Sequence, residues 1–362
     1  MPTKAKGYTG ITGLKKATTW GTAVACGALD GLEVLSVDLE ANRGIIPRPT
    51  ISGRVSRIEG DKGNIEVGGS IRVPLRYESC GRLIAGLFGT AGVPATVDTS
   101  ARLHTFKIND NIDGIFWTLA YEILKDTTIF EFNTVKITSV TLRWQIPGEA
   151  ILEVEVIGSD FTDASAINTT TTIDTITQSA NNELAQARHL AGGIRLNAQA
   201  GGALGASDAV DCTAGEVTIS RPLERDFTTA LGDKSSEPQP PQGEAAFLMV
   251  SGSLTFSQYQ TGSPGGNSAY VMEQLTRTTK KMDWSFVGDG LAGAATEKYS
   301  HKLYFPMVVF GSGKPKLSAG ALGWQMPFES HHVTTAPTGF TAGHVDACTW
   351  LNTNKFTTDV LA

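Results

Sequence analysis

Residues 64–77 read NIEVGGSIRVPLRY, and apolar side chains or glycine occupy every second position from Ile65 to Leu75. Successive side chains of a strand point to opposite faces of its sheet, so a period of two indicates one buried face and one polar face. A shift of one residue would turn the whole apolar set toward solvent. The stretch therefore predicts a β-strand with a firmly defined register.

A partner for this strand lies upstream, in residues 32–39, LEVLSVDL. Leu35, Val37 and Leu39 share one face there, which predicts a second strand. Residues 41–63 between the two strands are rich in arginine, proline and glycine and are too long for a tight turn. We expect the two strands and this connection to form an extended hairpin.

The same pattern returns in residues 249–259, MVSGSLTFSQY, where the segment from Gly252 to Phe256 follows the segment from Gly69 to Val73 by 183 positions. The pairs Glu33-Val34 and Glu216-Val217 keep the same offset. The common order of strand, long loop, strand, helix and further strands predicts an internal duplication. The alternative is that chains rich in strands converge on similar patterns by chance.

The elements between these hairpins follow from local pattern. Residues 78–89 and 268–277 have the apolar spacing of short helices, with Gly89 placed to end the first. Alternating apolar stretches predict further strands from His104, Ile115, Glu131 and Ala150 in the first half, and at MDWSFVG, YSHKLYFPMVVF and LGWQMPFES in the second.

The predicted fold is mainly β, with two tandem β-sandwich or barrel units, short flanking helices and long hairpin loops. We place an N-terminal arm at 1–31 and a first β domain at 32–160. A Thr/Gly/Ala-rich connection follows at 161–210, and a second β domain with a C-terminal arm occupies 211–362.

Composition narrows the classes of function. The chain has 362 residues, 41% of them hydrophobic and 18% charged, which suffices for a substantial core. A net charge of −6 gives no basic face for gripping nucleic acid. The sequence predicts no secretory signal and no membrane span. Four cysteines far apart in sequence favour buried thiols over disulfides or zinc.

Few residues have the spacing of a catalytic or metal site. His331 and His332 are neighbours and would point to opposite faces of a strand. Asp110 and Asp113 lack the rest of a calcium loop, and no GxSxG or phosphate-binding glycine motif occurs. Six tryptophans are scattered and are expected to anchor the core or interfaces. We therefore predict no catalytic residue, no metal and no cofactor.

The chain resembles the major tail tube protein of long-tailed, non-contractile (siphovirus-type) bacteriophages. The resemblance rests on stretches spread through most of the chain: KKATTWGTAVACGALDGLEVLSVDL, IEVGGSIRVPLRYESCGRLIAGLFGTAGVP, HTFKI, EVTISRPLERDFTTALG, SSEPQPPQGEAAFLMVSGSLTF and MVVFGSGKPKLSAGALGWQMPFES. It implies tail-tube-like β units whose sheets join edge to edge around a channel, with rings stacked through loops and arms.

The resemblance also implies partners. We expect the chain to bind copies of itself, a tape-measure protein inside the tube, and tail terminator and distal tail proteins at its ends. Viral DNA would pass through the lumen without specific binding. Single-domain members form hexameric rings, so a duplicated chain would need three copies. The expected location is the virion tail, after assembly in the host cytoplasm.

Two loops are candidates for contacts between rings. The 41–63 loop is basic and the 224–244 loop is acidic, so opposite charge could register one ring on the next. The residues expected at these contacts are Arg43, Arg48, Arg54, Arg57, Asp226, Asp233 and Glu237. The alternative is that both loops are solvated hairpin tips.

A last pair of residues concerns the channel. Glu153 and Glu155 share one strand face. Such a pair could be an active-site dyad, but on a polar face it fits an acidic lumen wall better. The competing function is a β-sandwich module that binds a receptor or a carbohydrate on a phage or cell surface; it would need a concave aromatic patch.

Overall fold

The computed structural model describes residues 10–47, 60–90, 94–124, 128–177, 183–190, 192–228, 231–262, 266–313, 315, 323–357 and 360–361. The protein is mainly β, with 46% of residues in strands and 9% in helices, as the alternating patterns predict. Arg48, Arg54 and Arg57 lie outside the described residues.

The described strands all belong to one antiparallel sheet. In chain order they are β1 (Thr12–Lys16), β2 (Ser36–Ile46), β3 (Asp61–Pro74), β4 (Ala95–Asp98), β5 (Ala101–Phe106), β6 (Trp117–Leu124), β7 (Thr128–Gln145), β8 (Ile151–Gly158), β9 (Phe161–Thr162), β10 (Ile194–Ala198), β11 (Ala214–Ser220), β12 (Met249–Phe256), β13 (Lys280–Gly290), β14 (Lys298–Phe310), β15 (Trp324–Ser330) and β16 (Thr349–Asn354).

In the described part of the chain three α-helices accompany the sheet: α1 (Gly81–Phe88), α2 (Thr170–Ile173) and α3 (Tyr270–Thr276). Helices α1 and α3 confirm the two helices predicted from apolar spacing. Gly89 ends α1 in the left-handed conformation, with φ of 82°, and its N–H donates to the carbonyl of Ala85. Glycine adopts this conformation without the steric cost that a Cβ brings.

The two halves of the chain follow the same strand order. The sheet runs β2-β3-β8-β7 through the first half and β11-β12-β15-β14 through the second. Strand β6 flanks β7 as β13 flanks β14, and β1 and β10 pair with β6 and β13. The short β9 pairs with β7 as β16 pairs with β14. The runs join where β7 pairs with β11.

Register confirms both hairpins but corrects one expected offset. Gly69 and Gly252 sit at matching places, because each lies between an outer strand and β8 or β15. Gly69 pairs with Leu39, however, whereas Gly252 pairs with Val217. An offset of 183 in both strands would pair Gly252 with residue 222. The prediction of one offset for both strands was therefore wrong by five residues, and it holds for the return strands alone.

The first predicted strand also begins later than expected. Residues 32–39 were predicted as a strand, whereas β2 starts at Ser36. Leu32 instead donates its N–H to the carbonyl of Thr12, the first residue of β1. Leu35, which was expected on the core face, is 53% exposed and lies in a bend just before β2. Val37 and Leu39 do pack against the core.

One large core spans both halves. Its fully buried tryptophans come from β6, β13 and β16, namely Trp117, Trp284 and Trp350. In the first half, α1 packs on the core. A Cβ at Gly86 would overlap with the rings of Trp117 and with Ile137. The absence of a side chain at Gly86 lets the helix approach the sheet closely.

Several pairings cross the boundaries predicted for the domains. Strand β1 lies in the predicted N-terminal arm and pairs with β6. Strand β10 lies in the predicted 161–210 connection and pairs with β13. Near the C-terminus, β16 pairs with β5 of the first half. The division of the chain at 161–210 stays a prediction.

Candidate functional site

Polar residues form regular rows across the paired strands on one side of the sheet. Residues opposite one another on neighbouring strands share a face, and they form rows that cross both halves. One row runs Arg72, Glu153, Thr141, Thr218, Ser251 and Glu329. A second runs Ser70, Glu155, Ser139 and Ser220, and a third runs Arg143, Glu216, Ser253 and Pro327.

Hydrogen bonds and ion pairs knit these rows together. Arg143 lies between two carboxylates, 2.7 Å from Glu153 and 2.9 Å from Glu216. The hydroxyls of Thr141 and Thr218 lie 2.9 Å apart across the β7–β11 boundary. These polar contacts join the two halves into one continuous surface.

The two acidic residues expected at a channel wall both lie on this surface. Glu155 is exposed and accepts a hydrogen bond of 3.1 Å from the hydroxyl of Ser139. Carboxylates outnumber guanidinium groups among the described residues of these rows and their continuation onto β2. The carboxylates are Asp38, Glu153, Glu155, Glu216 and Glu329, against Arg72 and Arg143. The surface is thus weakly acidic.

The boundary between the halves is itself a strand pairing. Seven residues of β11, from Ala214 to Ser220, pair antiparallel with β7 from Gln145 to Ser139. On their other sides, β7 pairs with β8 and β11 with β12. No loop or helix intervenes, so the internal boundary shows how two such sheets join edge to edge.

Strand β2 at one end of the sheet, and the last residues of β14, each have an edge available in the described part of the chain. In the described part of the chain β2 pairs with β3 alone, and the end of β14 beyond Val308 pairs with β15 alone. Helix α3 reaches the β14 edge, where the side-chain amide of Gln274 accepts from the N–H of Gly313 at 2.9 Å. Uncovered strand edges are places where another strand can add.

The basic hairpin and the acidic loop meet within one chain. Arg43 on β2 forms an ion pair of 2.6 Å with Asp233, and the N–H of Ile65 donates to the Asp233 carbonyl at 2.8 Å. Ser236 N–H donates to the carbonyl of Asp226 at 2.8 Å. The charges that could register successive rings are thus partly paired internally, and the structure brings together Arg43 and Asp233 from the predicted set.

Glu237, from the same predicted set, neutralises a buried lysine. Lys136 lies on β7 with its side chain 1% exposed, and its Nζ is 2.6 Å from Glu237 and 3.0 Å from the carbonyl of Pro238. Burial lowers the pKa of Lys136, and the hydrogen bond and charge of Glu237 oppose that shift. The acidic loop is therefore anchored to the first half, which the sequence does not reveal because Lys136 occupies a polar-looking strand position.

The residues considered for metal or catalytic chemistry do not converge. His331 lies 3.9 Å from Glu329, whereas His332 lies 3.7 Å from Asp346. Asp113 sits in a turn, where its N–H donates to the side chain of Asn111 at 2.8 Å. Among the described residues no three His, Cys, Asp or Glu side chains form a metal-binding group. None of the described helices is long and apolar enough to cross a membrane.

The four cysteines are free thiols; Cys26, Cys80 and Cys348 are buried as predicted, whereas Cys212 is only partly buried. Burial raises the pKa of Cys26 to about 12 and that of Cys80 to about 11. A thiol reacts as the thiolate, so both groups are chemically inert at neutral pH. They serve as small apolar side chains of the core.

One contact between the halves has no distinctive sequence signal. Tyr77, in the turn before α1, is fully buried against the second half, where its carbonyl accepts from the amide of Asn352 at 2.8 Å. Its hydroxyl lies 3.0 Å from Nδ1 of His189. Only the alternation of NIEVGGSIRVPLRY, which places Tyr77 on the core face, hints at its burial.

Comparison with known protein families gives a match across both halves. A family model described as phage tail tube protein matches residues 7–326. None of the curated proteins compared with the chain matches it.

Proposed function

Because the chain belongs to the phage tail tube protein family, we propose that it polymerises into stacked rings that form the phage tail tube, through which DNA is ejected. The family assigns the chain to the virion tail and implies self-assembly with other tail components. The observation that carries the proposal is the internal β7–β11 boundary, which joins two sheets of the same strand order.

That boundary supplies a template for contact between copies. By strand order, β2 corresponds to β11, and β14 corresponds to β7. The free edge of β14 in one copy and β2 in the next would therefore repeat the internal boundary. Such a head-to-tail contact is heterologous, and it forms a closed ring when its rotation closes. Ring closure would pair the free edges of β2 and β14 in every copy.

The number of copies follows from the two halves. We propose that each half is a tail-tube-like β unit and that three copies make a ring of six similar units, as in a siphovirus tail. The polar rows would line the channel, with Glu153 and Glu155 in its wall. Carboxylates repel phosphates over about one Debye length, roughly 8 Å at physiological salt. DNA would slide past without being held.

Stacking would use the remaining loops and end proteins. We propose that the loops carrying Arg43, Arg48, Arg54, Arg57, Asp226, Asp233 and Glu237 contact the adjacent ring. The tape-measure protein would occupy the lumen during assembly in the host cytoplasm, and terminator and distal tail proteins would close the tube. The role is structural, without catalysis and without a cofactor.

Electron microscopy of the purified protein in negative stain tests the proposal. We expect rings or hollow tubes with an open centre, because both free strand edges are present in every copy. Monomers, or oligomers without an open centre, at all concentrations and salt conditions would contradict it and favour a binding module.

A further inference from the structure

The two related helices differ sharply in how they are covered. Every residue of α1 except Arg82 is buried, whereas Tyr270 is the buried residue of α3. Both helices end in a left-handed residue, Gly89 and Arg277, so positions can be matched by counting back from it. Leu87 then corresponds to Leu275, and Ile84 to Met272.

The exposure of these matched pairs is opposite. Ile84 and Leu87 are fully buried, whereas Met272 is 61% and Leu275 is 73% exposed. An apolar helix face this open is unusual in a folded monomer and indicates a surface that another molecule covers. We call Met272 and Leu275 the α3 face.

The reason for the difference is a missing segment. In the first half, 28 residues separate α1 from β6 and contain β4 and β5. They cover the helix: Asn109 N–H donates to the carbonyl of Phe88, and Ile112 lies against Gly89. In the second half, three residues separate α3 from β13. Nothing in that short connection can cover the α3 face, so a cover must come from elsewhere.

In the first half, the turn before α1 contacts the second half of the chain. Tyr77 enters the second half and stacks on His301, with ring centroids 5.0 Å apart. Tyr299 donates from its hydroxyl to Glu78 at 2.7 Å in the same turn. In the second half Tyr259 follows β12 and is 40% exposed. By the offset of Gly69 and Gly252 it lies one position before the residue that matches Tyr77, so it is not a direct counterpart of Tyr77.

The surface that receives Tyr77 has a counterpart in the first half. Phe286 lies opposite His301, and Trp284 lies opposite Leu303; all four are fully buried. Val135 on β7 and Val308 on β14 start the pairing with β8 and β15. Counting from those valines, Phe130 takes the place of Leu303.

Their partners on the adjacent strand follow from register. Tyr121 lies opposite Phe130 and so takes the place of Trp284, and Ile123, two residues on, takes the place of Phe286. Tyr121 and Phe130 are half-buried, and Ile123 is 36% exposed. Phe161 packs edge-on against Phe130, with centroids 5.0 Å apart. We call Tyr121, Ile123, Phe130 and Phe161 the first-half patch.

We propose that the α3 face of one copy docks on the first-half patch of the next copy in the ring. The proposal rests on the head-to-tail assembly proposed above and identifies a side-chain contact beside the joined strand edges. Three observations support it: both surfaces are apolar and open, the turn before α1 already contacts the second half at His301 and Tyr299, and α3 adjoins the β14 edge through Gln274. A groove of about 770 Å³ connects Leu275 and the end of β14 with polar-row residues of the second half such as Thr218, Ser251 and Glu329.

Two single substitutions test the contact from its two sides. Leu275→Asp damages the α3 face and leaves the patch intact; Ile123→Asp does the reverse. Each should raise the concentration needed for ring formation about 30-fold, the effect of removing a central apolar anchor from an interface. Leu29→Asp is the matched control, since Leu29 is 80% exposed and belongs to neither surface. Sedimentation velocity measures assembly, and circular dichroism checks that each variant stays folded.

A mixture of the two variants tests whether the contact is heterologous, that is, whether the α3 face of one copy meets the patch of another. The intact α3 face of the Ile123→Asp chain can dock on the intact patch of the Leu275→Asp chain, and neither remaining surface can extend the complex. A one-to-one mixture should therefore form a dimer, while each variant alone stays monomeric. If Ile123→Asp disturbs folding, Tyr121→Ser serves as the patch variant.

The outcomes separate the two proposals. Rings of wild-type protein together with equally good rings of both variants would overturn the docking contact and leave the tail tube role standing. A wild-type protein that forms no rings would overturn both. Loss of assembly in each variant without dimers in the mixture would also overturn the contact as stated.

Discussion

Tyr77 of the first half lies face to face with His301 of the second half, with their planes inclined by 16°. Nδ1 of His301 accepts a hydrogen bond of 3.1 Å from Nε1 of Trp350, and Nε2 donates to the carbonyl of Arg76 at 3.1 Å. Both ring nitrogens are used by a neutral imidazole with its proton on Nε2. Burial lowers the pKa of His301 to about 4.

This pKa predicts loss of stability in mild acid. The folded protein holds His301 neutral, whereas the unfolded chain protonates it near its ordinary pKa of 6.5. Stability is therefore unaffected above pH 6.5 and falls as pH decreases from 6.5 to 4. The expected loss from this residue is about 3 kcal/mol. Urea unfolding at a series of pH values measures it.

The matched variant is His301→Gln, because a glutamine amide can accept from Trp350 and donate to Arg76 without titrating. We expect a flatter dependence of unfolding free energy on pH in this variant. An equal slope in both proteins would show that other groups, such as His189, whose pKa burial also lowers, account for the loss.

The buried pair of Lys136 and Glu237 predicts a second effect on stability. Glu237→Gln keeps a hydrogen-bonding side chain but removes the charge that compensates a lysine 1% exposed. We expect the free energy of unfolding to fall by about 2 kcal/mol, since an uncompensated buried charge is costly. Adding Lys136→Met should recover most of this loss. Unchanged stability in Glu237→Gln would mean that the carbonyl of Pro238 suffices.

The matching glycines of the two hairpins predict a shared sensitivity. A Cβ on Gly69 would overlap with the carbonyl oxygen of Asp38, and a Cβ on Gly252 with that of Glu216. Gly69 also has φ of 145°, which side chains disfavour. We expect Gly69→Ala and Gly252→Ala each to destabilise the fold by about 2 kcal/mol in thermal unfolding. Gly202→Ala, where a Cβ meets open space, is the control.

The basic hairpin tip predicts an effect on stacking. Reversing Arg48 and Arg54 to Glu should prevent tubes while leaving the chain folded, because opposite charge would no longer register the rings. Arg43→Glu is a useful comparison, since Arg43 is paired with Asp233 in its own chain by an exposed contact. That change should cost less than about 1 kcal/mol. Normal tubes from the double reversal would dismiss the hypothesis.

Much of the fold is accessible from the sequence because its signals are local. The period of two in β3 and the glycine at the end of α1 each act over a few residues, and both predictions were confirmed. Leu35 shows the limit: its alternation continues that of Val37 and Leu39, but the chain bends at Leu35, and Leu32 bonds to β1 instead of β3. The offset error at Val217 arose in the same way, since hairpin register depends on pairing across many residues.

The candidate surfaces were harder to foresee. Glu153 and Glu155 could be placed together because they share a strand face. The pairing of Arg43 with Asp233 joins residues 190 positions apart, and that of Lys136 with Glu237 joins residues 101 apart. Charge type alone predicted attraction between the loops but could not distinguish a partner in the same chain from one in the next ring.

The number of chains in a ring tests the central claim most directly. Native mass spectrometry of isolated rings, with symmetry analysis of their electron micrographs, gives this number. If each chain contributes two alike sheet units joined as β7 joins β11, the ring should weigh three chains and show threefold symmetry with six similar lobes. A ring of six chains, or a closed ring whose lobes equal its chains in number, would contradict the account.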